Sequence, residues 1–177
     1  ADGLTSNGKI FGGTQDNGTL LYTPALGPQA WTSIAGGDGG FATADRTNNF
    51  LYGEFQWLAV HRSNNGGASS TNIAGCSKAA PYAILTDACT SNSSTTNFIA
   101  PILLDPNSPD RLLAGGFQLW RTDDPRTATS STTGPQWASI KVSVGSAISA
   151  IAVAKANSDL VWVGHNNGNV YLATDGT

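Results

Sequence analysis

One strand–turn–strand unit recurs along this chain, and that recurrence constrains the fold more than any single motif. Residues 99–115 (IAPILLDPNSPDRLLAG) align with residues 148–164 (ISAIAVAKANSDLVWVG), bringing Asp110 onto Asp159. Residues 41–53 (FATADRTNNFLYG) form a shorter copy. A further apolar run follows each copy, at residues 117–121, 169–173 and 58–62, and a run headed by tryptophan comes next at Trp31 and again at Trp137. Counting from the second run of each unit, Phe11, Tyr52, Leu113 and Trp162 occupy one repeat position, 41, 61 and 49 residues apart.

The runs are short, rich in β-branched and aromatic residues, and bounded by Gly, Asn, Asp and Pro, which is the signature of strands joined by turns. A dozen such runs are predicted, at residues 9–12, 20–23, 31–35, 50–55, 58–62, 99–104, 111–114, 117–121, 137–142, 148–154, 160–164 and 169–174. No helical periodicity lies between them, so the chain is expected to be all-β and antiparallel. Asp16-Asn17-Gly18 and Asn166-Asn167-Gly168 supply the positive-φ residues of tight hairpins. Repeats of about 40 to 50 residues, each a four-stranded meander, are the pattern of β-propeller blades. The expected blades are residues 1–36, 37–97, 98–144 and 145–177, with the stretch around Cys76 and Cys89 inserted in the second.

Composition narrows the function. Charged residues make up 12% of the 177-residue chain and the net charge is −3, with the nine Lys and Arg residues scattered singly. Such a surface offers no nucleic-acid footprint. Apolar residues never run to the length of a membrane span, so no membrane insertion is expected. The absence of Met, at position 1 included, and of a signal peptide reads as a processed or excised piece of something longer. Cys76 and Cys89 have no C-x-x-C spacing and no further Cys/His pair, so they read as a disulfide clamping a surface loop rather than as metal ligands. A disulfide implies an oxidising compartment, hence a secreted, periplasmic or cell-surface protein.

Three segments in phase with the repeat are similar to the Asp-box, the turn Ser/Thr-x-Asp-x-Gly-x-Thr-Trp. They are Ser63-Asn64-Asn65-Gly66-Gly67-Ala68-Ser69, Thr122-Asp123-Asp124 with Trp137 after an insertion of residues 125–136, and Ala173-Thr174-Asp175-Gly176-Thr177. Asn65 stands where the pattern has Asp, and Ala173 where it has Ser or Thr. The physical role of such a turn is local: a carboxylate or amide accepts backbone N–H bonds, Gly supplies a left-handed residue and Trp packs between sheets. On these segments the chain resembles a piece of an Asp-box (BNR-repeat) propeller, the group that includes sialidases, xyloglucan-hydrolysing endoglucanases and sortilin-type receptors. The resemblance covers about three and a half blades and implies either a longer polypeptide or a self-association that closes the ring. An open stack leaves sheet faces and edges uncovered, so the isolated chain is expected to associate.

The resemblance also suggests where chemistry would lie. Gly37-Asp38-Gly39-Gly40-Phe41 is similar to, and one residue shorter than, the Gly-Asp-x-Gly-Gly-Phe segment that carries a catalytic Asp in xyloglucan-hydrolysing enzymes. Glycosidases work with two carboxyls roughly 5 to 10 Å apart, and Asp16 is the carboxylate expected to partner Asp38 because an inter-blade link and a second-to-third-strand turn need not lie far apart; the alternative is that both only cap turns. Glu54, Gln56, Trp57 and Tyr82 are candidate glycan-binding residues: aromatic platforms with polar groups for hydroxyls. Trp31 and Trp137, at the fourth-strand position, are expected in the core between blades. The arginines do not assemble a sialidase triad; Arg62 and Arg121 precede the turns and read as solvated or turn-bracing. His61 and His165 read as structural, and no metal or cofactor is expected. Three functions remain: a non-catalytic or scaffold portion of a secreted propeller binding a glycan or protein through inter-blade loops, a fragment of a xyloglucanase- or endoglucanase-like hydrolase, or a surface-layer or filament subunit.

Overall fold

In the computed structural model, which describes residues 8–74, 80–84, 87 and 95–175, fourteen strands form four separate antiparallel sheets. The first sheet holds β1 (Ile10–Thr14), β2 (Gly18–Tyr22) and β3 (Trp31–Ala35) in that order. The second holds β4 (Ala42–Asp45), β5 (Phe50–Phe55), β6 (Ala59–Ser63) and β7 (Thr71–Asn72), and the third β8 (Ile102–Leu104), β9 (Leu112–Gly115), β10 (Leu119–Thr122) and β11 (Ala138–Lys141). The last sheet is β12 (Ile148–Ala154), β13 (Asn157–His165) and β14 (Val170–Ala173). Every strand pairs with its sequence neighbour, so each sheet is a meander, as expected of propeller blades. Two short 3-10 turns, Pro24–Leu26 and Gln56–Leu58, are the helical elements among the described residues.

The sheets stack because their strands carry apolar side chains on both faces. Successive residues of a strand point to opposite sides. Thus Leu51 packs with Phe11 and Leu21 of the preceding sheet, while its neighbour Tyr52 packs with Ile102, Leu112 and Ala114 of the next. One sheet on, Leu112 faces back and Leu113 faces forward onto Ile148, Val161 and Val163. The first strands β4, β8 and β12 converge on a cavity of about 680 Å³ lined by residues 43–47, Leu103, Asp105 and Ile151, which places them on the inner side of the arc. No helix among the described residues is long and apolar enough to cross a membrane.

Two expectations are corrected here. Trp137 is buried and donates its indole N–H to the Ile73 carbonyl at 2.8 Å, but Trp31 at the matching position is 49% exposed, its ring tilted against Tyr22 at 5.2 Å. Among the described residues, no sheet packs against the face of the first sheet that carries Trp31. Arg62 is buried rather than solvated: it donates to the carbonyls of Pro125 at 2.8 Å and Thr127 at 2.6 Å, clamping the 125–136 insertion of the third sheet onto the second. Arg126 of the same insertion reaches back to Asp45 at 3.0 Å and also pairs with Asp110. Cys76 and Cys89 lie outside the described residues, as do Gly176 and Thr177 of the last turn.

Position in the stack sets the energetics. Leu113→Ala removes a side chain packed on two sheets and is expected to cost about 2–5 kcal/mol, whereas Leu26→Ala, at a 74% exposed site, should stay within about 0.5 kcal/mol. Urea unfolding of the two variants measures the contrast.

Candidate functional site

Two of the three turn segments share one hydrogen-bonding scheme. The Ser63 hydroxyl donates to Asn65 Oδ1 at 2.9 Å, and Asn65 Oδ1 in turn accepts the Ser69 N–H at 3.0 Å. The Gly67 N–H closes back on Ser63 Oγ at 2.9 Å, and Gly67 itself is left-handed at φ 94°. At the next sheet the Thr122 hydroxyl donates to Asp124 Oδ1 at 2.6 Å, and Asp124 Oδ1 accepts the Gln136 N–H at 2.8 Å. Asn65 and Asp124 therefore do the same work: each accepts a hydroxyl two residues back and the N–H that leads into the next strand. The insertion of residues 125–136 loops out between these two bonds without breaking them. Asp175 follows the last strand, β14. The first two turns are structural corners, with their polar side chains bonded within the turn itself.

A different cluster forms where the first sheet meets the second. The glycine-rich link at residues 36–40 runs directly over the β1–β2 hairpin, the Gly39 N–H donating to the Thr14 carbonyl at 3.0 Å. A Cβ on Gly39 would stand 2.3 Å from the Gly18 carbonyl oxygen, so backbone lies on backbone and no side chain fits. This packing presents Asp38 to its partners. Asp38 Oδ1 accepts the Asp16 N–H at 2.7 Å, and Asp38 Oδ2 accepts the Gln56 side-chain amide. Asp16 is left-handed at φ 64°, in the tight turn between β1 and β2. The bond from the Asp16 backbone, then the Gln56 amide, hold the half-exposed Asp38 carboxyl below the usual carboxylate range. Asp38 is thus an ionised acceptor at neutral pH.

Gln56 opens the 3-10 turn after β5, and Trp57 and Leu58 behind it are both left-handed, at φ 60° and 59°. Consecutive non-glycine residues in that region store strain, which persists only where surroundings hold it. Here the Trp57 N–H donates to the Phe98 carbonyl at 3.0 Å, and the two rings meet edge to face at 5.1 Å. Phe98 is exposed and Trp57 half-buried, so an aromatic pair borders the polar cluster in sequence and through Gln56. Sequence reasoning did not single out Phe98, because it precedes the predicted strand and nothing in its neighbourhood marks it as a ring partner. Tyr82 is half-buried in a separate segment, and among the described residues no hydrogen bond or ring pair joins it to this cluster.

Glu54 has gone inside. Its carboxyl is fully buried; Oε1 accepts the N–H groups of Ala100 at 3.2 Å and Leu58 at 3.4 Å, and Oε2 has no partner. The space in front of Oε2 belongs to Gly40, where a Cβ would stand 1.9 Å from it. Burial pushes the Glu54 carboxyl up to about 8, the two backbone N–H groups offsetting only part of that. Glu54 is therefore a neutral acid under the glycine link, a structural neighbour of Asp38 rather than a surface ligand group. Among the described residues, no three His, Cys, Asp or Glu side chains gather as a metal site.

Comparison with known proteins agrees at the level of architecture. No family model matches the sequence, and no curated protein matches it. Among solved structures, the chain is similar to an ancestral GH74 enzyme, with a TM-score of 0.63 and 13% identity over 99% of this chain and 22% of that one. At that identity the likeness is one of fold, and it is to a β-propeller. This chain spans less than a quarter of the GH74 enzyme's length.

The buried acid gives a pH signature. The folded pKa of Glu54 lies above its ordinary 4.5, so the folded state holds the proton that the unfolded chain releases. The stability contributed by the neutral form is complete below about pH 4.5 and is lost as pH rises through about 8. Glu54→Gln keeps the Oε1 acceptor and cannot ionise. The melting temperature of the wild type, relative to Glu54→Gln, is expected to fall steadily between pH 5 and 9; parallel curves would contradict the buried neutral acid.

Proposed function

We propose that this chain is a glycan-binding portion of an extracellular propeller, with Asp38 as the polar hub of the site and the Trp57–Phe98 pair as its aromatic border. The observation that carries the reading is the Asp38 carboxylate, ionised, half-exposed and oriented by donors from two different sheets. Sugars are recognised by oriented acceptors that take hydroxyl hydrogens and by aromatic rings that cover the apolar faces of the ring. Donors that fix the carboxylate before a ligand arrives reduce the ordering cost of binding.

A hydrolytic reading is favoured by the likeness to a GH74 enzyme and by the charge state of Asp38, which suits a base and not an acid. Asp16 meets Asp38 through its backbone N–H at 2.7 Å, a turn bond rather than the carboxyl-to-carboxyl arrangement in which two acids flank a glycosidic bond. Glu54 has the raised pKa of an acid but is sealed from solvent. A hydrolase would therefore draw its acid from residues other than these two.

Titration calorimetry with a xyloglucan heptasaccharide and with cellotetraose, run beside a reducing-sugar assay, tests both readings. Asp38→Asn is expected to weaken binding about tenfold or more, an effect of about 1.4 kcal/mol, and Trp57→Ala several-fold. Binding without sugar release supports the non-catalytic reading. Sugar release that falls about 10²–10⁴-fold in Asp38→Asn supports the hydrolase. Wild-type affinity in both variants would remove Asp38 and Trp57 from the site.

A further inference from the structure

Three segments carry the site described above: the glycine link at residues 36–40 with Asp38, the turn Gln56–Leu58 with Gln56 and Trp57, and the stretch before β8 with Phe98. All three meet at one buried side chain. Glu54 Oε1 accepts the Leu58 N–H of the turn at 3.4 Å and the Ala100 N–H, two residues beyond Phe98, at 3.2 Å. Its Oε2 lies against Gly40 of the link and has no partner. The end of the link is also tied to the Glu54 backbone: the Gly40 N–H donates to the Glu54 carbonyl at 2.9 Å, and the Glu54 N–H to the Phe41 carbonyl at 2.7 Å. The Leu58 bond anchors the far end of the strained, left-handed turn that aims Gln56 at Asp38.

We propose, building on the glycan-binding reading, that Glu54 is the positioning residue of this site: its neutral carboxyl holds the link and the turn so that Asp38, Gln56 and Trp57 keep their binding arrangement, and loss of its proton releases them. A protonated carboxyl fits a place closed to water, whereas a carboxylate there needs a donor at each oxygen. The space in front of Oε2 is filled by Gly40. Ionisation therefore lifts the link to admit water, and the link carries Asp38 with it. The titratable groups on the elements packed around Glu54 are Asp38 on the link, Asp16 on the β1–β2 hairpin and His61 on β6, and none of the three hydrogen-bonds the Glu54 carboxyl. Asp38 is held low by its donors and His61 by burial, so neither changes charge between pH 7 and 9, whereas Glu54, raised by burial to about 8, does.

Calorimetry with the xyloglucan heptasaccharide at pH 7 and at pH 9 reads the coupling. With about one tenth of Glu54 protonated at the higher pH, wild-type affinity is expected to fall about tenfold. Glu54→Gln keeps the Oε1 acceptor, cannot ionise and should bind equally at both. Amide NMR spectra recorded without sugar distinguish a failure here from a failure of the glycan reading. The Leu58 and Ala100 N–H signals report Glu54 itself, and the Asp16 N–H and Gln56 side-chain signals report Asp38. All four should titrate together near pH 8 in the wild type and none in Glu54→Gln. Joint titration with no sugar bound at either pH would remove the glycan reading and support Glu54 as the residue that positions Asp38. Equal wild-type affinity at pH 7 and 9, Leu58 and Ala100 signals that move while those of Asp16 and Gln56 stay still, or a Glu54→Gln variant as pH-dependent as the wild type would each overturn the proposal.

Discussion

The structure depends on sheets that are apolar on both faces. A sheet with one wet face would alternate apolar and polar residues along its strands. The middle strands here instead carry adjacent buried pairs, Leu51-Tyr52 and Leu112-Leu113, one member facing back and the other forward. The second and third sheets are therefore each buried between two others, and successive meanders stack with their first strands inward. Polar bonds then lock the order: Arg62 and Arg126 tie the insertion of the third sheet to the second, and the Asn107 side-chain amide bonds the Ala154 carbonyl at 2.8 Å across the next junction.

The same stacking makes the candidate site. Where the first sheet passes to the second, the chain must cross from the outer strand β3 to the inner strand β4 while lying flat on the β1–β2 hairpin. Only glycines permit that approach, at Gly39 against Gly18 and at Gly40 against the Glu54 carboxyl. The crossing leaves Asp38 at its surface, with Asp16 on one side and Gln56 on the other. Beneath it, Glu54 stays neutral because the glycine link shuts out water and supplies its Oε2 with no donor. Two carboxyls a few residues apart in space thus hold opposite charge states, one set by donors and the other by burial.

Much of the fold was legible because strands and turns are local. Residues 31–35, 50–55 and 148–154 form strands with the predicted bounds, and the two Asn-Gly turns join β1 to β2 and β13 to β14. Strand β7 escaped because Thr71 and Asn72 are polar and make a pair of only two residues, with His61 and Arg62. The predicted strand at residues 58–62 starts one residue late, since Leu58 is taken by the strained turn that opens at Gln56. Burial was less legible, because it is set by what lies alongside. Trp31 and Trp137 occupy one repeat position, yet among the described residues only the second has a neighbouring sheet. Arg62 looked like a surface residue before a turn until the insertion from the third sheet folded over it. At the site, the nearness of Asp16 and Asp38 was readable from glycine-flanked turns. That a backbone N–H makes the contact was not, since it depends on how the glycine link lies over the β1–β2 hairpin.

The central claim is that only consecutive sheets touch, through alternate residues. A nuclear Overhauser spectrum with labelled methyl groups and aromatic rings measures this directly. The account predicts cross-peaks from Phe11 to Leu51, from Tyr52 to Leu112 and from Leu113 to Val161, with none from Phe11 to Leu113 or Val163. Cross-peaks joining Phe11 to Val163, as a sandwich closed on itself would give, would contradict it.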